Sequence, residues 1–478
     1  MTSTTTDHQA GVRWLPYLVA ATFFMEYLDT TVIATALPQM SRSFGVGPNA
    51  LSIGMTAYML ALAVFIPVSG WIADRYGSRT VFGGAIVVFT VASILCGFSH
   101  NLTEFTAARV LQGIGGAMMV PVGRLIVVRN TEKSQLMQAI STITWPAIVA
   151  PVVGPPIGGF IVTYASWRWI FFLNIPFGIA ALIAVGILVR NQRGEVRKPL
   201  DLVGFFLSGG ALTGILYGTE LASLPGADLG LALAYVAAGI VLGACAYHHA
   251  KHRAHPLIDY STLKIPTYSV TVLTGSVARI GIGAVPYLMP LLFQIGFGLS
   301  AFHSGLLLLA SALGNLGMKA LVSPFLKRYG FKTACIAAAS VAGIFTLACG
   351  WLSPATPLPL IVLVVFVYGV ARSMQFSTLA TLAYADIPPS LMSTASTLWS
   401  AAAQMTIGMG IAFGALSLNI AEHLRGDAAG AGGTHYLLAD FRWAFTFAAI
   451  VTFLSLIGYL GMSRDAGIQL GGAGKSRA

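Results

Sequence analysis

The chain has 478 residues, of which 56% are hydrophobic and only 9% charged, with a formal net charge of +11 and a mean hydropathy of +0.79. That composition excludes a water-soluble globular domain and puts the chain among polytopic membrane proteins. A basic surplus gathered on one soluble face would point to nucleic acid; spread over the ends of apolar runs it is the positive-inside bias of a membrane protein.

A bilayer crossing takes about 20 apolar residues, and about fourteen runs meet that need. The first thirteen residues are polar and lack the basic, apolar and cleavage-site succession of a removable leader, so the first run, centred near Met25, is expected to anchor the chain itself. It carries Glu26 and Asp29, read here as the only carboxylates deep within a span, and their spacing of three puts them on one helical face. Runs near Ala61 and Val88 flank a polar turn around Gly70, Asp74, Arg75, Gly77 and Arg79. The fourth run, near Met118, holds Arg109. At about 1.5 Å per residue, Asp29 lies roughly 12 Å and Arg109 roughly 8 Å from the outer ends of their helices, depths at which they can face each other. Arginine does not give up its proton in a protein. An Arg109 that moves can therefore switch Asp29 or Glu26 between loaded and released states, whereas one that never moves only locks two helices. The fifth run, near Ala147, reads Ala-Pro-Val-Val-Gly-Pro-Pro-Ile-Gly-Gly over 150–159. Its prolines remove backbone donors and its glycines admit neighbouring backbones, so Gly154, Pro155, Gly158 and Gly159 mark a helix that either seals and rocks against the other half or simply packs closely.

After a sixth run near Ile179, a polar, basic linker from Asn191 to Asp201 introduces two more, near Gly210 and Val236. His248, His249, His252 and His255 follow them, beside Lys251 and Arg253 and with Asp259 as the only acid expected within reach, so no metal site is expected there. Six further runs, near Val277, Ala312, Ile336, Val365, Met405 and Ala449, contain Arg279, Lys319 and Arg372 and no deep carboxylate. Lys319 can snorkel to a helix end. Arg279, near the middle of its run, either pairs with Glu26 or Asp29 or, with Arg372, holds an anionic substrate. Gln112, Trp145, Arg279, Tyr287, Gln294, Asn315, Arg372 and Gln375 are the candidate lining of a largely apolar cavity. The segment 422–434 reads as an outer loop and 471–478 as a disordered tail. Cys96, Cys245, Cys335 and Cys349 fall in apolar stretches and form no disulfide or zinc framework.

Nineteen of the 27 Lys and Arg residues fall on one side of this arrangement, four on the other and four within spans; the bias assigns both termini to the cytoplasm. Arg75-Tyr76-Gly77 with Thr80 reappears as Arg328-Tyr329-Gly330 with Thr333, and Gly113 has a weaker echo in Gly369. Parallel six-span repeats with a site between them are a plan of secondary transporters. The expected organisation is a six-helix bundle over 1–190, an inserted helix pair with linkers over 191–266, and a six-helix bundle and tail over 267–478.

Several strings resemble the major facilitator superfamily. Gly70-Trp71-Ile72-Ala73-Asp74-Arg75-Tyr76-Gly77-Ser78-Arg79 is similar to its loop signature between the second and third helices, and Arg109 with Gln112-Gly113-Ile114-Gly115-Gly116-Ala117 to its fourth-helix motif. Gly154-Pro155-Pro156-Ile157-Gly158-Gly159 resembles the fifth-helix motif associated with antiporters. Leu28-Asp29-Thr30-Thr31-Val32 through Ala36-Leu37-Pro38, with Trp167-Arg168-Trp169-Ile170-Phe171 and Asn174-Ile175-Pro176, resembles the fourteen-helix drug:proton antiporter branch. The chain departs from that branch at Ala34, where Asn is frequent, and at Ala150, where the motif begins with Gly. The resemblance implies proton-coupled efflux, with the Asp74 loop acting as a conformational latch and the fifth helix as a gate.

No phosphate-cradling Gly-Lys-Ser or Gly-Lys-Thr string follows a soluble strand, and no Ser, His and Asp constellation suggests an enzyme. A gradient must supply the energy: one charge moving inward gains about 2.3 kcal/mol per 100 mV. The expectation is an all-α inner-membrane exporter, two six-helix bundles plus two central helices, that exchanges protons for small amphipathic or toxic compounds by alternating access through Asp29, Glu26 and Arg109. An exporter of a small organic anion is the alternative, and an uncoupled channel or receptor the remote one. Expected partners are the substrate, protons and the bilayer, with no cofactor, metal or nucleic acid, and a monomer as the working unit.

Overall fold

In lipid the backbone has no water to bond, and helices satisfy their own N–H and C=O groups; no strand occurs among the described residues. The structure, a computed structural model, describes residues 3–132, 135–194, 199–224, 226–388, 391–425, 436–463 and 466. The loop expected over 422–434 lies mostly, and the tail over 471–478 wholly, outside them. The helices are α1 (Ser3–Phe44), α2 (Ser52–Tyr76), α3 (Ser78–Phe98), α4 (Leu102–Asn130), α5 (Leu136–Thr144), α6 (Pro146–Tyr164), α7 (Trp169–Phe172), α8 (Asn174–Leu188), α9 (Leu202–Ala222), α10 (Leu229–Lys251), α11 (Pro266–Leu291), α12 (Ala301–Gly350), α13 (Leu358–Leu382), α14 (Met392–Arg425) and α15 (Leu438–Leu460).

Among the described residues, thirteen helices are long and apolar enough to cross a membrane. One of them, α12, has 50 residues and a break at Gly330, where φ is 76° and ψ 168°. A straight helix of that length would measure about 75 Å, more than twice the roughly 30 Å hydrocarbon core, so the break divides α12 into two crossings and makes fourteen segments. Gly77, with φ 96°, makes the matching turn between α2 and α3. The repeated Arg-Tyr-Gly string is thus one turn used twice: a residue in the left-handed region ends one helix and starts the next, and only glycine takes it without cost.

Helices α1 to α8 pack among themselves, as do α11 to α15, while α10 pairs with α9, and α9 leans on α2 and α14. Glycines hold that pair together. A Cβ on Gly214 would stand 2.8 Å from the Cα of Gly239, a close approach that suits van der Waals association in lipid.

The face carrying the Arg75–Arg79 turn is called here the terminal face, and the one carrying Gly45–Pro48 the distal face. One buried apolar cluster joins the N-terminal half to the distal part of the C-terminal half, through Leu37, Tyr287, Phe293 and Ile411 among others. A second, around Tyr268, Phe331 and Leu382, lies in the C-terminal half and the connection leading into it, near the terminal face, with no residue of the N-terminal half among those described. The halves therefore share a core at the distal end and not at the terminal end.

Candidate transport site

The first helix brings two acids to the interior of the N-terminal half, and they meet different surroundings. Asp29 is 2% exposed and Arg109 1%. Arg109 Nη1 donates to Asp29 Oδ2 at 2.6 Å and to Gln112 Oε1 at 2.5 Å. Gln112 Nε2 donates to Asp29 Oδ1 at 2.9 Å and to Ser93 Oγ at 2.7 Å, and Asn174 Nδ2 donates to the same two oxygens at 2.8 and 2.9 Å. Arg109 also lies over the Tyr58 ring, 4.2 Å from its centroid. Four helices thus saturate one buried ion pair, which offsets the cost of taking both charges out of water.

Glu26 is buried as well, yet its Oε2 has no hydrogen-bond partner, and neither has the Tyr58 hydroxyl. Both groups crowd over Gly116, where a Cβ would stand 3.4 Å from Glu26 Oε1 and 3.2 Å from the Tyr58 oxygen. The two acids expected to act together are one satisfied carboxylate and one unsatisfied one.

Between the halves lies a cavity of about 190 Å³, lined from the N-terminal side by Thr30, Thr31, Ala34, Met55 and Met59 with Pro151 and Pro155. From the C-terminal side come Tyr287, Ser311, Asn315, Tyr368, Arg372 and Phe376 among others. Among the described residues Arg372 is the only charged one in the lining, and its guanidinium lies 5.5 Å from the Phe376 ring centroid. Thr30 adjoins Asp29 in the chain, so α1 carries both part of the cavity wall and one member of the buried ion pair. Ala34, where the antiporter branch often carries Asn, is part of that wall.

Of the expected lining residues, Tyr287, Asn315 and Arg372 are in it and five are elsewhere. Gln112 belongs to the Asp29 network. Trp145 is 60% exposed at the joint of α5 and α6. Gln294 reaches across to Thr35 O at 3.1 Å, and Gln375 Nε2 donates to the Tyr459 hydroxyl at 2.7 Å within the C-terminal half. Arg279 pairs with neither Glu26 nor Asp29: it lies on the Trp399 ring, 3.9 Å from the centroid, with Nη1 unbonded. Lys319 is exposed.

The distal end is where the halves meet. Asn49 Nδ2 donates to Ala415 O at 3.0 Å, the Tyr287 hydroxyl to Asn49 Oδ1 at 3.1 Å, and Phe302 N to Thr163 Oγ1 at 3.0 Å. Gly154 and Gly158 fit against Thr31 and Thr35 of α1, while Gly159 meets the backbone of Ala301 and Phe302 in α12, and Pro155 meets Gly305. The small residues of α6 thus let it pack on its own half with one face and on the other half with another. At the terminal face, Asp74 Oδ1 accepts from Arg129 Nη2 at 2.8 Å, and Arg79 Nη2 donates to Gly186 O at 2.8 Å; both contacts stay inside the N-terminal half. Arg75 lies over Trp71.

Two readings of the sequence need correction. Glu26 and Asp29 are not the only deep carboxylates, because Glu220 of α9 is 1% exposed, although it lies two residues from the end of an otherwise apolar run. The acid within reach of the histidines is Asp201 rather than Asp259: His249 Nε2 lies 2.9 Å from Asp201 Oδ1, and Asp259 instead accepts from Ser261 N. Asn174, Ser93 and Arg129 were also missed as partners, since nothing in a linear pattern says which polar residue of another span will face a given carboxylate.

Paired helical halves around a shared cavity are the plan of a membrane transporter. The Major Facilitator Superfamily matches residues 19–415, and the chain belongs to it. It is 38% identical over 421 residues, 87% of each chain, to the protein named "Putative multidrug resistance protein MdtD" of Serratia proteamaculans, and 37% identical over 95% of each chain to that of Klebsiella pneumoniae. Among solved structures it resembles in fold a bacterial homologue of the human lysosomal transporter Spinster in an inward-facing, unoccupied conformation, with a TM-score of 0.66 and 14% identity over 96% of this chain and 98% of that one. It also resembles a D-xylose-proton symporter, with a TM-score of 0.65 and 15% identity over 95% and 98%.

Proposed function

We propose that this protein exports small amphipathic or toxic compounds across the inner membrane in exchange for protons, by alternating access between bundles spanning 1–190 and 267–478, with 191–266 inserted between them. Both termini are cytoplasmic on this reading, by the distribution of Lys and Arg. The cavity then faces inward, as its closed distal end suggests.

The observation that carries the proposal is the buried Asp29–Arg109 pair on the same helix, α1, that lines the cavity at Thr30, Thr31 and Ala34. A proton arriving on Asp29 cancels the charge that holds Arg109, and a buried guanidinium left without an anion is costly. Glu26, with a carboxylate oxygen that has no partner, is the nearby group able to receive it. Arg109 moving from Asp29 toward Glu26 would shift α4 against α1 and change the wall at Thr30 and Thr31, which couples proton occupancy to the shape of the cavity. The names of the MdtD relatives support a drug substrate.

Substrate-triggered proton release from energised inverted vesicles tests this reading. Dequenching of a pH-sensitive dye by an amphipathic compound, lost in Asp29→Asn, supports it; full coupling in the variant overturns the assignment to Asp29. A second reading, export of a small organic carboxylate, is favoured by Arg372 as the sole charged residue of the cavity lining among those described; release triggered only by anions would select it.

A further inference from the structure

Glu220 has no part in the reading above. It lies near the distal end of α9, in the inserted pair, and α9 packs on both α2 and α14, the helices that join the halves. Asn419 of α14 donates to Ser223 O at 2.7 Å, one turn beyond Glu220, while Asn49, just before α2, bonds Ala415 of α14. Glu220 is therefore built into the distal seam.

The hydroxyls beside it bear on its protonation. Ser52 Oγ lies 2.5 Å from Asn49 O and within hydrogen-bonding distance of Glu220 Oε1. A hydroxyl has one proton, and the carbonyl can only accept it. Asn49 O and a Glu220 carboxylate would compete for that one proton, so both contacts are hydrogen bonds at once only if the carboxyl carries a proton and donates it to Ser52. Thr56, the other hydroxyl within hydrogen-bonding reach of Glu220, also lies 3.2 Å from Ile53 O, and its one proton can serve only one of the two. Glu220 Oε2 has no partner, a position tolerable for a neutral acid and costly for a carboxylate. The titratable groups around the site are few: the Tyr287 phenol of α11, committed to Asn49, and His423 of α14, whose Nδ1 faces Asn419 O at 2.9 Å. Among the described residues no cation pairs with Glu220.

We infer that Glu220 is a second proton-binding site, separate from Asp29, whose protonation closes the distal gate. With the gate open, Glu220 faces the distal solution and ionises; taking a proton there lets α9 seat between α2 and α14. Acid on the distal side thus favours the distal-closed conformation. The inserted pair becomes a working part of the gate rather than a passive addition.

The test measures the gate directly and needs no substrate. Spin labels at His100→Cys and Ala355→Cys, exposed loop positions on the distal face of either half, report the distance across it in a chain whose four native cysteines are replaced. The expected result is a shorter distance at acid than at alkaline pH, with Glu220→Gln short at both and the pH dependence lost. Ser52→Ala removes the acceptor without touching an acid, and moves the midpoint to lower pH by on the order of one unit, the worth of one hydrogen bond to a buried acid. Glu220→Gln with an unchanged pH profile overturns the inference, as does a midpoint that rises in Ser52→Ala, which would make Ser52 a donor to a carboxylate. Asp29→Asn in the same assay separates this site from the proposed coupling site: it keeps the Glu220-dependent shift even if it abolishes transport.

Discussion

Each half buries arginines in its helices, and the two halves treat them in opposite ways. In the N-terminal half Arg109 is locked to a carboxylate and surrounded by amides that complete the pair. In the C-terminal half Arg279 rests on Trp399 and Arg372 beside Phe376, and among the described residues neither is paired with a carboxylate; the buried Asp440 pairs with Arg425 instead. An ion pair with every lone pair satisfied is stable until one charge is removed; a cation on an aromatic face is held more weakly and keeps its donors available. The repeat that gave both halves one helical plan left the first with a neutralised ion pair and the second with positive charge at a cavity.

The sharpest way to break this contrast is to delete one arginine from each half. Arg109→Met should abolish coupled transport and cost about 3–5 kcal/mol of stability, the usual consequence of leaving one partner of a buried pair uncompensated. Arg279→Met should leave stability unchanged or raise it, because the loss of a cation–π contact worth about 0.5–2 kcal/mol is met by removal of an unpaired buried charge. Unfolding in detergent, followed by intrinsic fluorescence, measures both. Equal losses would mean that Arg279 has a counter-charge that the contrast denies it.

Next in size is Arg372. If the C-terminal half supplies the cavity's charge, Arg372→Gln should weaken binding of an anionic substrate by roughly 10- to 100-fold, the value of about 1.5–3 kcal/mol for a hydrogen bond to a charged group, and strengthen binding of a lipophilic cation. Titration of purified protein with one compound of each kind reads the two signs. Weakening of both to the same degree would reduce Arg372 to a packing residue.

The contrast between halves was partly legible in the sequence. Asp29, Glu26 and Arg109 stand out because charges are rare in apolar runs, and helical rise alone puts Asp29 and Arg109 at similar depth. The division of the surplus pair from the bundles follows from span parity and from the Arg-Tyr-Gly repeat. What was hidden depends on rotation about helix axes: Gln112 and Gln375 look like cavity residues in a linear pattern, yet each faces a buried partner in its own half. Trp145 and Arg279 failed for the same reason. Glu220 was obscured by position, since an acid near the end of a span normally reaches water, and only the packing of α9 against α2 and α14 keeps this one dry.

Two acids on the terminal face separate a buried contact from an exposed one. Asp201 caps α9 through Gly204 N, contacts His249 and accepts from Leu257 N at the start of the connection to the second half. Burial works against its charge, but the bonds from Gly204, His249 and Leu257 outweigh it and hold its carboxyl below the usual carboxylate range. A depressed value stabilises the fold above the unfolded-state pKa, about 3.9, and that stabilisation fades as the pH falls below it. Asp201→Asn should therefore cost about 1–2 kcal/mol at pH 7 and progressively less in strong acid. Asp74→Asn should cost under about 1 kcal/mol, because the Asp74–Arg129 pair is 43% and 29% exposed. Melting curves at pH 7 and pH 3 separate the two; an Asp201→Asn penalty that does not shrink in acid would show that the cap, not the charge, is what matters.

The smallest expected difference lies in the repeated turn itself. Gly77 and Gly330 both sit at positive φ, so alanine at either should cost about 1–2 kcal/mol from backbone strain alone. Their surroundings differ. A Cβ at Gly77 would stand 2.6 Å from Asn191 Cγ, whereas none of the atoms around Gly330 comes within 4 Å. Asn191 bonds both the backbone and the hydroxyl of Thr80, so displacing it also loosens the start of α3 from the linker that leaves the first bundle. Gly77→Ala should therefore exceed Gly330→Ala by about the worth of one or two hydrogen bonds, about 1 kcal/mol, with the double variant additive because the turns are in separate halves. If Gly330→Ala proves the more damaging, the second turn carries a constraint that its open surroundings do not reveal, and the resemblance of the two halves at the terminal face extends only to the backbone.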